Sequence, residues 1–191
     1  IGVGYVKWFE ENMRYTKVKF PDFVKQFEKK FSEFKKIINS NSKEKVIIHG
    51  DIHPMNIRFK NRKVYFFDME EIRIERCIGE IANSLVYLSC LDTDKIDYAD
   101  LVSFEQACTP DLDKVVCFLR AYHEVSQLSK EEIEALPAYM WIVWVGWTFW
   151  TLNNVDEKHK EKIFTDSSVL PEWIEANYSS FVKKMLDGLG L

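Results

Sequence analysis

The sequence predicts an α+β protein, mostly α, in which helices surround a small β-hairpin. Three observations predict it. From Phe20 a stripe of apolar residues recurs at steps of three and four, the period of an amphipathic helix. Between residues 45 and 68 the chain changes to short apolar runs separated by turn residues. Beyond residue 79 the segments return to helical lengths and spacings as far as the C-terminus.

Residues 1–9, IGVGYVKWF, hold two glycines and Lys7 and read as one strand at most. Phe20, Phe23, Phe27, Phe31, Phe34 and Ile37/Ile38 place a helix over residues 21–39, with Pro21 suited to its first turn. The run NSNSKE (39–44) ends it. VIIH (46–49) is expected to be a short, fully buried strand, and NIRFK (56–60) and VYFFD (64–68) a hairpin about the turn NRK (61–63). Residues 79–90, 94–108, 112–128, 130–136, 138–154 and 171–186 then read as helices. Ser129 ahead of Glu131/Glu132, and Pro171, mark two starts, while Pro137 is expected to split the fourth piece from the fifth. Neither a repeat nor a linker interrupts residues 1–191, which are expected to form a single domain.

Composition narrows the function. The 191 residues are 47% hydrophobic and 29% charged, enough for a real core and too apolar for disorder. A net charge of −4 without a basic tract argues against nucleic acid, because phosphate neutralisation needs clustered cations. Cys77, Cys90, Cys108 and Cys117 show no CxxC pairing, so they are expected to be reduced, buried thiols of a cytoplasmic protein. The most apolar run, 140–152, carries four tryptophans and is too short to span a bilayer, so no membrane partner is expected. The first residue is Ile rather than Met, and the chain is expected to be part of a longer protein.

The chemistry-bearing residues gather in KVIIHGDIHPMNIRF (45–59), with His49, Asp51, His53 and Asn56 behind a short apolar run. Pairing across a short turn is expected to set Asn56 and Asp68 side by side. An Asp and an Asn at neighbouring strand ends offer hard oxygen ligands suited to Mg²⁺. Asp51, five residues before Asn56, is a further carboxylate placed for a base.

These residues resemble the catalytic segment of the aminoglycoside phosphotransferase/choline kinase-like family, relatives of the protein kinases. The resemblance lies in His49-x-Asp51-x-x-x-x-Asn56 followed by a hairpin and Asp68, in FFDMEE (66–71), and in GEIANSL (79–85). It implies a protein-kinase-like C-terminal, catalytic lobe that uses Mg²⁺ and ATP or GTP to phosphorylate a hydroxyl of a small molecule. Asp51 would accept or orient the hydroxyl proton, and Asn56 and Asp68 would hold Mg²⁺ on the nucleotide phosphates. Glu70 would reach a second metal or the substrate, His49 would brace the loop, and His53 would shape it beside the nucleotide. Met55 stands where the family often has Gly, and Glu80 where Asp is usual. The N-terminal nucleotide lobe of such kinases has no counterpart in this chain, so it is the expected partner, and this part alone is expected to turn over little.

Two other readings compete. One is a non-catalytic, pseudokinase-like scaffold. The other is a metallophosphoesterase, whose first metal motif is an Asp-x-His after a strand, as in GDIH (50–53). The second lacks further metal motifs, since His123 and His159 lie in charged, helix-like surroundings. Trp141, Trp144, Trp147 and Trp150 recur every three residues and fan around half a helix. Most are expected in the core, and one or two would form an aromatic wall for a cationic substrate. The acidic segment 92–113 reads first as helix caps and a solvated face.

Overall fold

The computed structural model describes residues 4–40, 45–97 and 99–191. Residues 1–3 of the expected N-terminal strand, residues 41–44 of the run expected to end the first helix, and residue 98 of the helix expected over 94–108 lie outside the described residues. The described chain is mostly helical with a small antiparallel β part, as the sequence predicts.

Helix α1 (Tyr5–Lys19) corrects the expectation of a strand at the N-terminus. Tyr5, Phe9 and Thr16 are buried along one side, and that helical spacing outweighs the two glycines, which lie ahead of it. Helix α2 (Pro21–Ser40) matches the expected one, burying Val24, Phe27, Phe31, Phe34 and Ile38. Phe31 stacks on Phe9, ring centroids 4.3 Å apart, which fastens α2 to α1.

The β part is two two-stranded ladders. Strand β1 (Val46–Ile48) pairs with β4 (Arg73–Glu75), and β2 (Ile57–Lys60) with β3 (Lys63–Phe66). The first strand is not fully buried: Ile48 is 3% exposed but Ile47 is 76%, because one face of this ladder rests on the core and the other is open. The hairpin turns on Asn61 and Arg62 alone, both with positive φ, as a type I′ turn requires. Its register sets Ile57 opposite Phe66. Asn56 therefore faces Phe67, whose N–H donates to the Asn56 carbonyl, and Asp68 follows one residue later rather than directly opposite.

Helix α3 (Cys77–Leu85) runs on into a single π turn (Val86–Cys90). The helix expected over 94–108 is not formed. Short 3-10 turns at Thr93–Lys95 and Leu101–Phe104 replace it, and the side chains of Asp92 and Asp100 cap them. Carboxylates that take backbone N–H groups locally compete with a continuous helix. Helix α4 (Leu112–Val125) opens on Asp111, which accepts from Asp113 N and Lys114 N. Most of the acidic segment is thus capping, as expected.

Helix α5 (Lys130–Asn154) starts with the capping box of Ser129 and Glu132. It continues through Pro137 instead of splitting there. Packing on every side outweighs the lost backbone bond, and near the proline the Glu134 carbonyl accepts from the Tyr178 hydroxyl at 2.7 Å. Helix α6 (Lys160–Asp166), which the sequence reading passes over, and α7 (Val169–Leu189) complete the fold. Pro171 lies in the first turn of α7, and Gly190 at φ 71° ends it.

The core forms around α5, which α1, α2, α3 and α7 all contact. Trp141 and Trp144 are fully buried and their indole N–H groups donate to Glu175 and to the Ser167 carbonyl. No helix among the described residues is long and apolar enough to cross a membrane.

Candidate functional site

The loop after β1 is held from three sides. From α3, Glu80 Oε1 accepts from the Gly50 N–H at 2.7 Å, and one turn later the Asn83 amide donates to the Ile52 carbonyl at 3.1 Å. From α1 and β4, the Tyr5 hydroxyl and Arg73 Nη1 donate to the Gly50 carbonyl at 3.4 and 3.3 Å. The Arg73 guanidinium lies over the Tyr5 ring, 4.5 Å from its centroid. Gly50 itself sits at φ 91°, a backbone that glycine adopts without strain.

His49 ties this loop to the hairpin. Its Nδ1 accepts from the Asp51 N–H, so Nε2 carries the proton and donates to the Phe67 carbonyl at 2.8 Å. The bracing role the resemblance implies is the one this geometry supports. His53 behaves similarly: Nδ1 accepts from the Met55 N–H, which leaves Nε2–H aimed at Asp51 Oδ2, 3.3 Å away. Met55 has no positive φ, so its side chain is accommodated without backbone strain.

The loop delivers one half-buried carboxylate. Asn56 is buried and its amide nitrogen donates to the Asp51 carbonyl at 3.0 Å and to Oδ2 at 3.2 Å. Both side-chain donors act on Oδ2, so Oδ1 is the oxygen left to accept from another molecule. Burial pushes the Asp51 carboxyl up, but His53, His49 and Asn56 together outweigh it and hold the group below the ordinary carboxylate range.

Asp68 and Glu70 are exposed on the segment leading out of β3. Apart from the hairpin turn, Asp68 is the one non-glycine position with positive φ among the described residues, at 59°. No turn of the hairpin demands it, and left-handed backbone outside a turn gathers at functional sites. Asn56, its amide nitrogen committed to Asp51, lies one residue out of register with Asp68. The oxygens of Asn56, Asp68 and Glu70 suit a hard cation such as Mg²⁺ in kind. Among the described residues no group of three or more His, Cys, Asp or Glu gathers in metal-holding geometry. His123 accepts from the Leu128 N–H, a local structural role.

A cavity of about 330 Å³ opens beside Gly50 and Asp51. Its walls are aromatic: Trp8, Tyr87, Phe104, Trp147 and Trp150 among them. Trp147 stacks on Trp150 at 4.9 Å, and Tyr87 and Phe104 meet the Trp147 ring edge-on at 6.3 and 6.2 Å. The buried Trp147 indole N–H has no acceptor among the described residues. Of the four tryptophans in α5, Trp144, Trp147 and Trp150 line this space, while Trp141 belongs wholly to the core.

Tyr5, Arg73, Asn83 and Tyr87 escape a reading of the sequence. Three come from α1, α3 and its π turn, far from the loop in sequence, and Arg73 from a strand three residues long. Only the helical phase of Glu80 and Asn83, three apart behind the motif, carries a local signal. Compared with protein-family models and with curated proteins, the chain matches none.

Proposed function

We propose that this chain is the catalytic lobe of a small-molecule kinase of the aminoglycoside phosphotransferase/choline kinase-like kind. It transfers the terminal phosphoryl group of ATP or GTP to a hydroxyl of a small, cationic acceptor. The observation that carries the reading is Asp51, with Oδ2 fixed by Asn56 and His53 and Oδ1 left open, at an aromatic cavity. As the acceptor oxygen bonds to phosphorus and the bond to the leaving phosphate breaks, the hydroxyl proton passes to Asp51. A carboxylate held ionised accepts it throughout the neutral range.

Asn56 and Asp68 would hold Mg²⁺, with Glu70 reaching a second ion or the acceptor. The metal, when bound, neutralises charge on the transferring phosphates. His49 and His53 orient the loop rather than react. The aromatic lining of Trp147, Trp150 and Tyr87 is of the kind an ammonium group prefers, and Asp51 and Glu71 are the carboxylates beside it.

The partner lobe has a surface to meet. Among the described residues, eleven of the sixteen exposed large apolar ones lie within 46–74, including Ile47, Phe59, Phe67 and Ile74. Such concentration on two short ladders favours a covering domain. A scaffold without activity would use the same face, and Mg²⁺–nucleotide binding by calorimetry on the full-length protein separates the two readings.

Activity is tested on the full-length protein with a panel of hydroxyl acceptors. Asp51→Ala and Asp68→Ala are each expected to lower turnover by about 10²–10⁴-fold while the fold survives. Unchanged turnover in Asp51→Ala overturns the assignment.

A further inference from the structure

The fold sets two cysteines together that no spacing rule pairs. Cys90 ends the π turn, and Cys108 follows the two 3-10 turns. Two clasps hold the chain segments antiparallel. The Ser89 carbonyl accepts from the Asp111 N–H at 2.8 Å. The Gln106 side chain accepts from the Asp92 N–H at 3.0 Å and donates to the Asp92 carbonyl at 3.2 Å. Cys90 and Cys108 fall between the clasps, close to register with one another. Both are buried in the same apolar cluster.

We propose that Cys90 and Cys108 are a modification site: a reversible intramolecular disulfide that fastens the 91–107 segment. The segment matters because Leu91 and Phe104 line the aromatic cavity. The other two thiols lie outside the arrangement. Cys77 contacts Glu132 at 3.6 Å, and Cys117 is exposed on α4. The inference stands apart from the kinase reading, since it needs only the two clasps and the two buried thiols between them.

At rest Cys90 is quiet. Burial, with the neighbouring thiol, pushes the Cys90 thiol well up, so little attacking thiolate forms until the segment opens. The oxidant is a small-molecule disulfide. One cysteine, as thiolate, attacks a sulfur of that disulfide, forming a mixed disulfide and releasing one small thiolate. The second cysteine then attacks the protein sulfur of the mixed disulfide and releases the other. The two cysteines lose two electrons and two protons together, and the small disulfide becomes two thiols.

The test uses the whole chain without substitution. It is treated with oxidised glutathione, quenched with an alkylating agent, unfolded and mapped by mass spectrometry. The expected result is loss of two hydrogen masses and a Cys90–Cys108 linked peptide, both reversed by dithiothreitol. The oxidised form should unfold about 6–12 °C higher, since the bond closes a loop of that length. Cys90→Ser should abolish the linked peptide, while Cys77→Ser and Cys117→Ser should leave it. The proposal is overturned if Cys90 and Cys108 both remain alkylatable after oxidation. Separate glutathione adducts on the two, or a link to Cys77 or Cys117, overturn it equally.

Discussion

The backbone N–H of Gly50 and the Oε1 of Glu80 meet at 2.7 Å, thirty residues apart in sequence. Through this bond α3 fixes the loop that carries Asp51. A glutamate reaches where a shorter side chain would stop, so Glu80 is a workable substitute for the Asp that the family resemblance leads one to expect. Glu80→Ala leaves the Gly50 N–H without its partner and is expected to cost about 1–3 kcal/mol. Glu80→Gln keeps a carbonyl acceptor and should lose less than half of that. Urea unfolding of the two variants checks the order.

Gly50 is the second point on which the loop turns. At φ 91° an L side chain is strained, and a Cβ there would meet the Glu71 carbonyl oxygen and the Arg73 guanidinium. Gly50→Ala should therefore destabilise by about 2–4 kcal/mol. Gly190→Ala, also at positive φ but with open space around it, should cost only the backbone part. Thermal unfolding of the pair separates strain from collision.

The sequence was most legible where a residue's signal is local. The phenylalanine stripe of α2, the Ser129–Glu132 capping box and the hairpin all stand where residue types predict them. Strand β4 was invisible because three residues, Arg73–Glu75, gain their structure only by pairing with β1. Pro137 misled because the burial that carries α5 through it is a tertiary effect. In the site, Asp51, Asn56, His49 and His53 come together as their spacing suggests, but Arg73 and Tyr5 reach Gly50 through the fold alone. The nearness of Cys90 and Cys108 in the fold is of the same kind, for two clasps in the tertiary structure bring their segments together.

Asp51 gives a pH prediction with a definite sign. Its folded-state carboxyl titrates below the ordinary 3.8. A depressed acid contributes stability above its unfolded value, and that stability is lost as pH falls through the folded value. Wild type should thus lose stability relative to Asp51→Asn as the pH drops below about 4. The side chain is 38% exposed, so water screens the effect and keeps it small. Parallel unfolding curves for the two proteins from pH 6 to pH 3 would contradict it.

Glu105 shows the opposite sign and the larger effect. It is fully buried beside the cavity wall, directly after Phe104. Burial pushes its carboxyl up to about 7, against the lowering hydrogen bonds of Thr151 and Thr148. Lys162 is the nearby cation, but its ammonium bonds the Glu105 carbonyl at 2.8 Å and pairs with Asp166 at 3.0 Å. A carboxyl raised in the folded state binds more protons there than in the unfolded chain. Its burial is therefore best tolerated below the unfolded value of 4.5, and stability falls as pH rises through 7. A rise of that size corresponds to on the order of 3 kcal/mol lost between pH 5 and pH 8. Glu105→Gln keeps the shape without the charge and should flatten this slope. Urea unfolding across that range decides the matter, and identical pH profiles for wild type and Glu105→Gln would contradict it.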